Sequence, residues 1–289
     1  QGWAQNITSS WCLIQRRTVN LCARFSRAFG RFVNKIIAVA NQKGGVGKTT
    51  TSVNLSAALA GLGPRVLLID LDPQGNATMG SGVDKYGLDS SIYEWLMGEV
   101  GLDEVCRRTV AGYDLLPANI DLTAAEVGLM QRERREFVMA EALSQQPSRY
   151  DYIIIDCPPS LNILTVNALV AATGVLVPMQ CEYYALEGLS ALLDTVEGIR
   201  ASANPKLQIE GLLRTMYDAR NSLSRDVSRQ LIQYFGDKVY RTVVPRNVRL
   251  AEAPSHGLPV TMYDRGSRGS LAYQALASEM RKRHAVTVQ

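Results

Sequence analysis

Residues Lys43 to Thr50 read KGGVGKTT and follow directly on the apolar run Ile36 to Ala40. Backbone N–H groups can crowd round an anion only where side chains are absent. Gly44, Gly45 and Gly47, with Val46 between them, therefore permit close approach to phosphate oxygens. Lys48 adds charge at the β and γ phosphates, and Thr49 places a hydroxyl where Mg2+ sits. Thr50 continues into a helix whose positive end faces the anion. In the common form of this loop a glycine stands five residues before Gly47. Here Gln42 holds that place and a second lysine, Lys43, follows it.

Two further segments carry acids where a nucleotide site needs them. Val66 to Asp72 reads VLLIDLD, with Asp70 and Asp72 two residues apart at the end of an apolar run. Ile153 to Pro159 reads IIIDCPP, and its acid, Asp156, is placed to orient Mg2+ through the water shell of the ion.

These side chains must be positioned by buried strands and the loops that leave them. Unbroken apolar runs at Ile36 to Ala40, Val66 to Ile69, Tyr152 to Ile155 and Val175 to Val177 predict strands covered on both faces. Weaker runs at Ile209 to Leu213 and Leu258 to Met262 predict two more. Thr49 to Leu62 reads as a helix stopped by Gly61 and Gly63. Thr123 with Glu126 resembles a capping box opening a second helix through about Gln145. Gly80 to Ile120 is the least regular stretch, and its Tyr93 and Trp95 are expected to be local core. The predicted fold class is α/β, a doubly wound, mostly parallel sheet of the P-loop NTPase type, with ligands at the carboxyl ends of its strands.

The chain has 289 residues, 46% of them apolar, enough for one large core. It contains no run of about 20 apolar residues. Five scattered cysteines without CxxC spacing fit reduced thiols in a cytoplasm, and two histidines exclude a histidine metal site. The net charge of +4 is a property of the N-terminus. Residues 1 to 35 hold six basic residues and no acids, which leaves 25 basic against 27 acidic residues in the rest. Residues 1–32 are read as a basic N-terminal extension, either not native or disordered, with the natural start near Val33. Residues 33–289 are read as a single P-loop ATPase domain.

Through KGGVGKTT, LLIDLDPQGNAT, IIIDCPPS, PMQCEYYALEGL, GLLRTMYDAR and VPRNVRLAEAPSHG the chain resembles the ParA/Soj-type partition ATPases of the ParA/MinD deviant Walker A family. The resemblance implies ATP and Mg2+ as cofactors and weak, partner-stimulated ATP hydrolysis. It implies a homodimer formed with ATP, in which the lysine matching Lys43 reaches the partner's phosphates. It further implies that the acid matching Asp72 positions the attacking water, and that the adenine pocket lies near Pro245 and Asn247. The implied role is chromosome or plasmid segregation on the nucleoid with a ParB-like centromere-binding protein. Arginines matching Arg220 and Arg249 would hold DNA without sequence preference. Arg225 and Arg229 lie four apart on the stretch SLSRDVSRQLIQYF, Arg246 flanks the PRN turn, and all three are further candidates for phosphate contact. Two related readings remain: a MinD-like membrane-cycling regulator, disfavoured by a C-terminal EMRKRHAVTVQ without an apolar face, and a ParA-like positioner of protein cargo. An iron–sulfur cluster is not expected from the spacing of Cys157 and Cys181.

Overall fold

The computed structural model describes residues 35–145, 149–182 and 185–286; the expected extension, residues 1–32, lies outside the described residues. Five strands coincide with the apolar runs: β1 (Lys35–Val39), β2 (Val66–Asp70), β5 (Tyr152–Asp156), β6 (Gly174–Gln180) and β7 (Gln208–Tyr217). Three more complete the sheet: β3 (Arg107–Arg108), β4 (Asp114–Leu116) and β8 (Val239–Pro245). The order is β3-β4-β2-β5-β1-β6-β7-β8, parallel throughout except for the antiparallel pair β3 and β4. Every residue of β2 and β5 is buried, which is why those segments read as continuous apolar runs.

The helices relevant to function are α1 (Lys48–Ala60), α5 (Leu122–Met130), α6 (Val138–Ser144), α7 (Ile163–Ala171), α9 (Ser222–Phe235), α10 (Val248–Glu252), α11 (Val260–Tyr263) and α12 (Arg268–Val286). Shorter helices α2 (Asn76–Gly80), α3 (Ile92–Met97) and α4 (Leu102–Val105), with α8 (Ala185–Ser202), complete the set. Two hydrophobic clusters lie on opposite faces of the sheet. Helix α12 packs with α1 on one side, burying Tyr273, Leu276, Ala277 and Met280, while α5, α6 and α7 cover the other.

Three expectations are corrected. The run Leu258 to Met262 is not a strand: Pro259 caps the single turn α11, and Asn54 accepts the N–H of Val260. The helix expected from Thr123 to Gln145 is two helices, because Arg134 adopts a left-handed φ of 52° and a 3-10 turn at Arg135–Phe137 intervenes. No capping box opens it, since the Glu126 carboxylate accepts from Asn162 instead. Within Gly80 to Ile120, Trp95 is buried and Tyr93 packs against the core, as expected.

Candidate nucleotide site

Strand order reverses at β1, which lies between β5 and β6, and the loop Lys43 to Thr50 leaves its carboxyl end there. Parallel sheets collect ligands at such a switch point. The loop's carbonyls are tied outward. Thr215 on β7 donates its hydroxyl to the Val46 carbonyl at 2.8 Å, and Gln180 on β6 donates to the Gly45 carbonyl at 3.2 Å. In a trans peptide, a carbonyl held one way turns the next N–H the other way, so the N–H groups of Val46 and Gly47 face the cradle. Gly45 and Gly47 sit at φ of 72° and 89°, which an L side chain rarely adopts. No side chain caps α1, so its first N–H groups also stand open to an anion. Asn41 fixes the entry to the loop, donating to the Pro178 carbonyl and accepting the Lys43 N–H.

The two lysines of the loop part company. Lys48 is buried and folds back over the loop, donating to the Lys43 carbonyl at 3.2 Å. Burial lowers its ammonium pKa, opposed by the charges of Asp156, Cys157 and Asp72. Lys43 turns outward and pairs with Glu182, just beyond β6, at 2.7 Å; both side chains remain about half exposed.

The carboxylates also divide. Asp70 is fully buried, accepts the N–H and O–H of Thr78 at 2.8 Å each, and accepts the Asp72 N–H. It anchors the turn after β2. Asp72, partly exposed, accepts the Gln74 N–H, and its charge reaches Lys48. Asp156 is paired in register with Asp70 on the adjoining strand. Burial pushes the Asp156 carboxyl upward, as does the Asp70 charge, while the hydroxyls of Thr49 and Ser52 favour its ionised form. Ser52 holds Oδ1 at 2.8 Å; Oδ2 is buried without a partner among the described residues.

Such an orphaned oxygen fits a water carried by Mg2+, with Thr49 on the same turn. No group of three or more His, Cys, Asp or Glu among the described residues could hold a metal unaided. A magnesium ion here would take its ligands from phosphate, Thr49 and water.

Beside the loop opens a cavity of about 400 Å³ that brings Pro245 and Asn247 together with Gly47 and Thr50. Thr215, Met216, Val248 and Tyr273 are among its other walls, none of them singled out from the sequence. Arg246 faces this cavity rather than a helix surface. Three of the other four candidate arginines are ion-paired within the chain: Arg220 with Asp218 at 2.9 Å, Arg249 with Glu252 and Asp264, and Arg229 with Asp226. Arg225 donates to the Ala219 carbonyl instead of an acid. Arg220, with Arg246 contributing, holds the Asp218 carboxyl down at about 2.

A glycine cradle at an uncapped helix N-terminus, a buried lysine and a strand-end carboxylate together define a P-loop nucleoside triphosphatase. Residues 34–209 match the AAA_31 family, an AAA domain. Soj of Bacillus subtilis, a sporulation initiation inhibitor protein, is 53% identical over 86% of this chain and 98% of its own length. The chromosome partitioning protein ParA of Caulobacter vibrioides is 51% identical over 85% and 93%. Among solved structures, a cobyrinic acid a,c-diamide synthase from Mycobacterium smegmatis with bound ADP and magnesium is 41% identical. It superposes with a TM-score of 0.75, covering 85% of this chain and 93% of that one. The chain belongs to the ParA/Soj family of partition ATPases.

Proposed function

We propose that this chain is an ATP- and Mg2+-dependent dimerisation switch that binds DNA without sequence preference and hydrolyses ATP slowly to segregate a chromosome or plasmid with a ParB-like partner. The position of Lys43 carries the reading. One lysine suffices to charge the cradle, and Lys48 fills that role from inside. Lys43 stands at the rim, about half exposed, its ammonium held among the described residues by Glu182. A surface ion pair of this kind contributes about 1 kcal/mol or less, so a second chain's phosphates can displace Glu182 as the partner of Lys43.

Bound Mg2+, which Thr49 and, through water, Asp156 would hold, would supply positive charge that offsets the charge of the phosphates. The chain's own residues do the rest. The N–H groups of Val46 and Gly47 orient the phosphates, Lys48 neutralises charge, Asp156 holds a water proton at Oδ2, and Asp72, partly exposed just beyond β2, positions the attacking water. A lysine that arrives only with a second subunit ties charge cancellation, and so hydrolysis, to dimerisation.

ADP and magnesium in the M. smegmatis protein support the cofactor assignment. The synthase named for that structure is outweighed by two partition relatives of higher identity. Among the described residues no helix is long and apolar enough to cross a membrane. The apolar face of α12 is already packed on the sheet and α1, which favours DNA over a MinD-like membrane cycle. The decisive experiment is sedimentation of Lys43→Ala with ATP and magnesium: nucleotide binding should persist and the dimer should vanish. Wild-type ATP-driven dimers in that variant would sink the switch. DNA binding equally strong with ADP and without nucleotide would sink its output.

A further inference from the structure

Away from the nucleotide cavity and sharing no wall with it, a groove of about 810 Å³ opens along the sheet's edge between α9, β8 and α12. It is lined by four cationic side chains, Arg214, Arg241, Lys282 and Arg283, against two carboxylates, Asp237 and Glu279. Glu279 is already matched. It accepts the N–H groups of Arg241 and Thr242, the Thr242 hydroxyl and the Arg283 guanidinium. The side chains of Arg241 and Lys282 make no ion pair among the described residues and are exposed.

Arg214 is the unusual member. It is 7% exposed, on a central residue of β7. Its Nη atoms donate to Ser228 Oγ and to the carbonyls of Tyr240 and Arg241, where β8 departs from regular pairing. Those bonds explain a buried arginine as a clamp on the edge strand. They leave Nε, a buried N–H that finds no acceptor among the described residues. A buried charged donor without a partner is costly, and because Arg214 lines the groove, an acceptor bound there would relieve it once the guanidinium shifts toward it. Ile232, about half exposed, adds apolar surface beside the charges.

We propose that this groove is a second site, independent of the glycine loop, for a phosphate-bearing small ligand of nucleotide size. Arg214, Arg241 and Lys282 would take the phosphates, and Ile232 with Val239 would cover the ring. Phosphate matches the excess of positive donors, and planar guanidinium groups suit its oxygens. The two sites use neighbouring residues of one strand while remaining separate. Thr215, the next residue on β7, points to the opposite face and holds the Val46 carbonyl of the loop, so one strand carries a contact to each ligand.

Equilibrium dialysis with radiolabelled ADP and magnesium tests this. Wild-type protein should take up two equivalents per chain at millimolar ADP, and Lys48→Ala should retain the groove equivalent alone. The double variant Arg241→Glu/Lys282→Glu, on exposed positions that leave the fold intact, should weaken the second equivalent roughly tenfold to a hundredfold and leave the first unchanged. Arg214→Lys, which keeps the charge and removes the Nε–H, should weaken only the second equivalent, with circular dichroism confirming the fold. A single equivalent in wild type, or a second one indifferent to the double variant, overturns the proposal. It also falls if the double variant loses duplex DNA binding while keeping both ADP equivalents, because the basic rim then belongs to the DNA surface.

Discussion

The nucleotide end of the sheet and the arginine-bearing surface hold their charges in opposite ways. At the nucleotide end Asp70 and Asp156 are fully buried, side by side, and Asp156 keeps an oxygen without a partner. On the surface Arg220, Arg229 and Arg249 each sit against an acid from the same chain. A buried carboxyl with one oxygen left without a partner makes the empty site unfavourable and favours a ligand that satisfies it. A surface pair is worth little either way, so a phosphate can exchange for the carboxylate at small cost. The first arrangement suits a committed, magnesium-dependent site. The second suits reversible, salt-sensitive contact with a polyanion.

The largest effect that would sharpen this contrast is on turnover. Asp72→Ala should lower ATP hydrolysis roughly a hundredfold while leaving nucleotide affinity and ATP-driven dimers intact, since positioning a reacting water contributes about that much. Steady-state phosphate release together with sedimentation measures both, and an unchanged rate would remove Asp72 from the chemistry. Asp156→Asn should come next. Magnesium-dependent nucleotide affinity should fall about tenfold to a hundredfold by calorimetry, the range for a group acting through a metal's outer shell. The same variant should raise the melting temperature of the nucleotide-free protein, because burying the Asp156 carboxyl beside Asp70 disfavours its ionised form and asparagine carries no such cost. A lower melting temperature would mean that Asp156 is a structural anchor like Asp70.

On the surface, Arg220→Glu and Arg249→Glu should each weaken duplex DNA binding about tenfold in ATP, uniformly across sequences, and reduce the salt dependence by about one phosphate contact. Nucleotide affinity should not move. If it did, the two regions would not be separable.

The smallest effect concerns a pair far from both. Glu210 accepts from the Tyr240 hydroxyl at 2.8 Å and lies 3.0 Å from His284 Nε2. Burial pushes its carboxyl up, but the hydrogen bond and charge of His284, the Tyr240 hydroxyl and the charge of Lys35 together leave it below the ordinary range. A depressed carboxylate stabilises the fold above its unfolded value, and that stability is lost as pH falls through the native value. Glu210→Gln should therefore cost about 1 kcal/mol at neutral pH in urea unfolding, with the gap from wild type closing in acid.

How much of this could be read from the chain depends on where each signal resides. The cradle is local, since eight consecutive residues hold the glycines, both lysines and Thr49. Strands buried on both faces announce themselves as apolar runs, so β1, β2, β5, β6 and β7 were legible. Strand β8 was not, because it borders the sheet and carries Arg241 and Thr242 within VYRTVVP. The split between α5 and α6 turns on the backbone of Arg134, which no periodicity reveals.

Sequence alone determined that a glycine-rich loop of phosphate-binding type stands here, that it holds a second lysine, and which acids end the strands, because those features need only neighbouring residues and one period of burial. Tertiary structure alone decided that Lys43 meets Glu182, 139 residues away, that Thr215 and Gln180 turn the loop's N–H groups inward, and that Asp156 lies against Asp70. Those facts depend on strand order and register. Parallel strands joined by crossovers place side by side residues whose separation in the chain carries no trace of the contact.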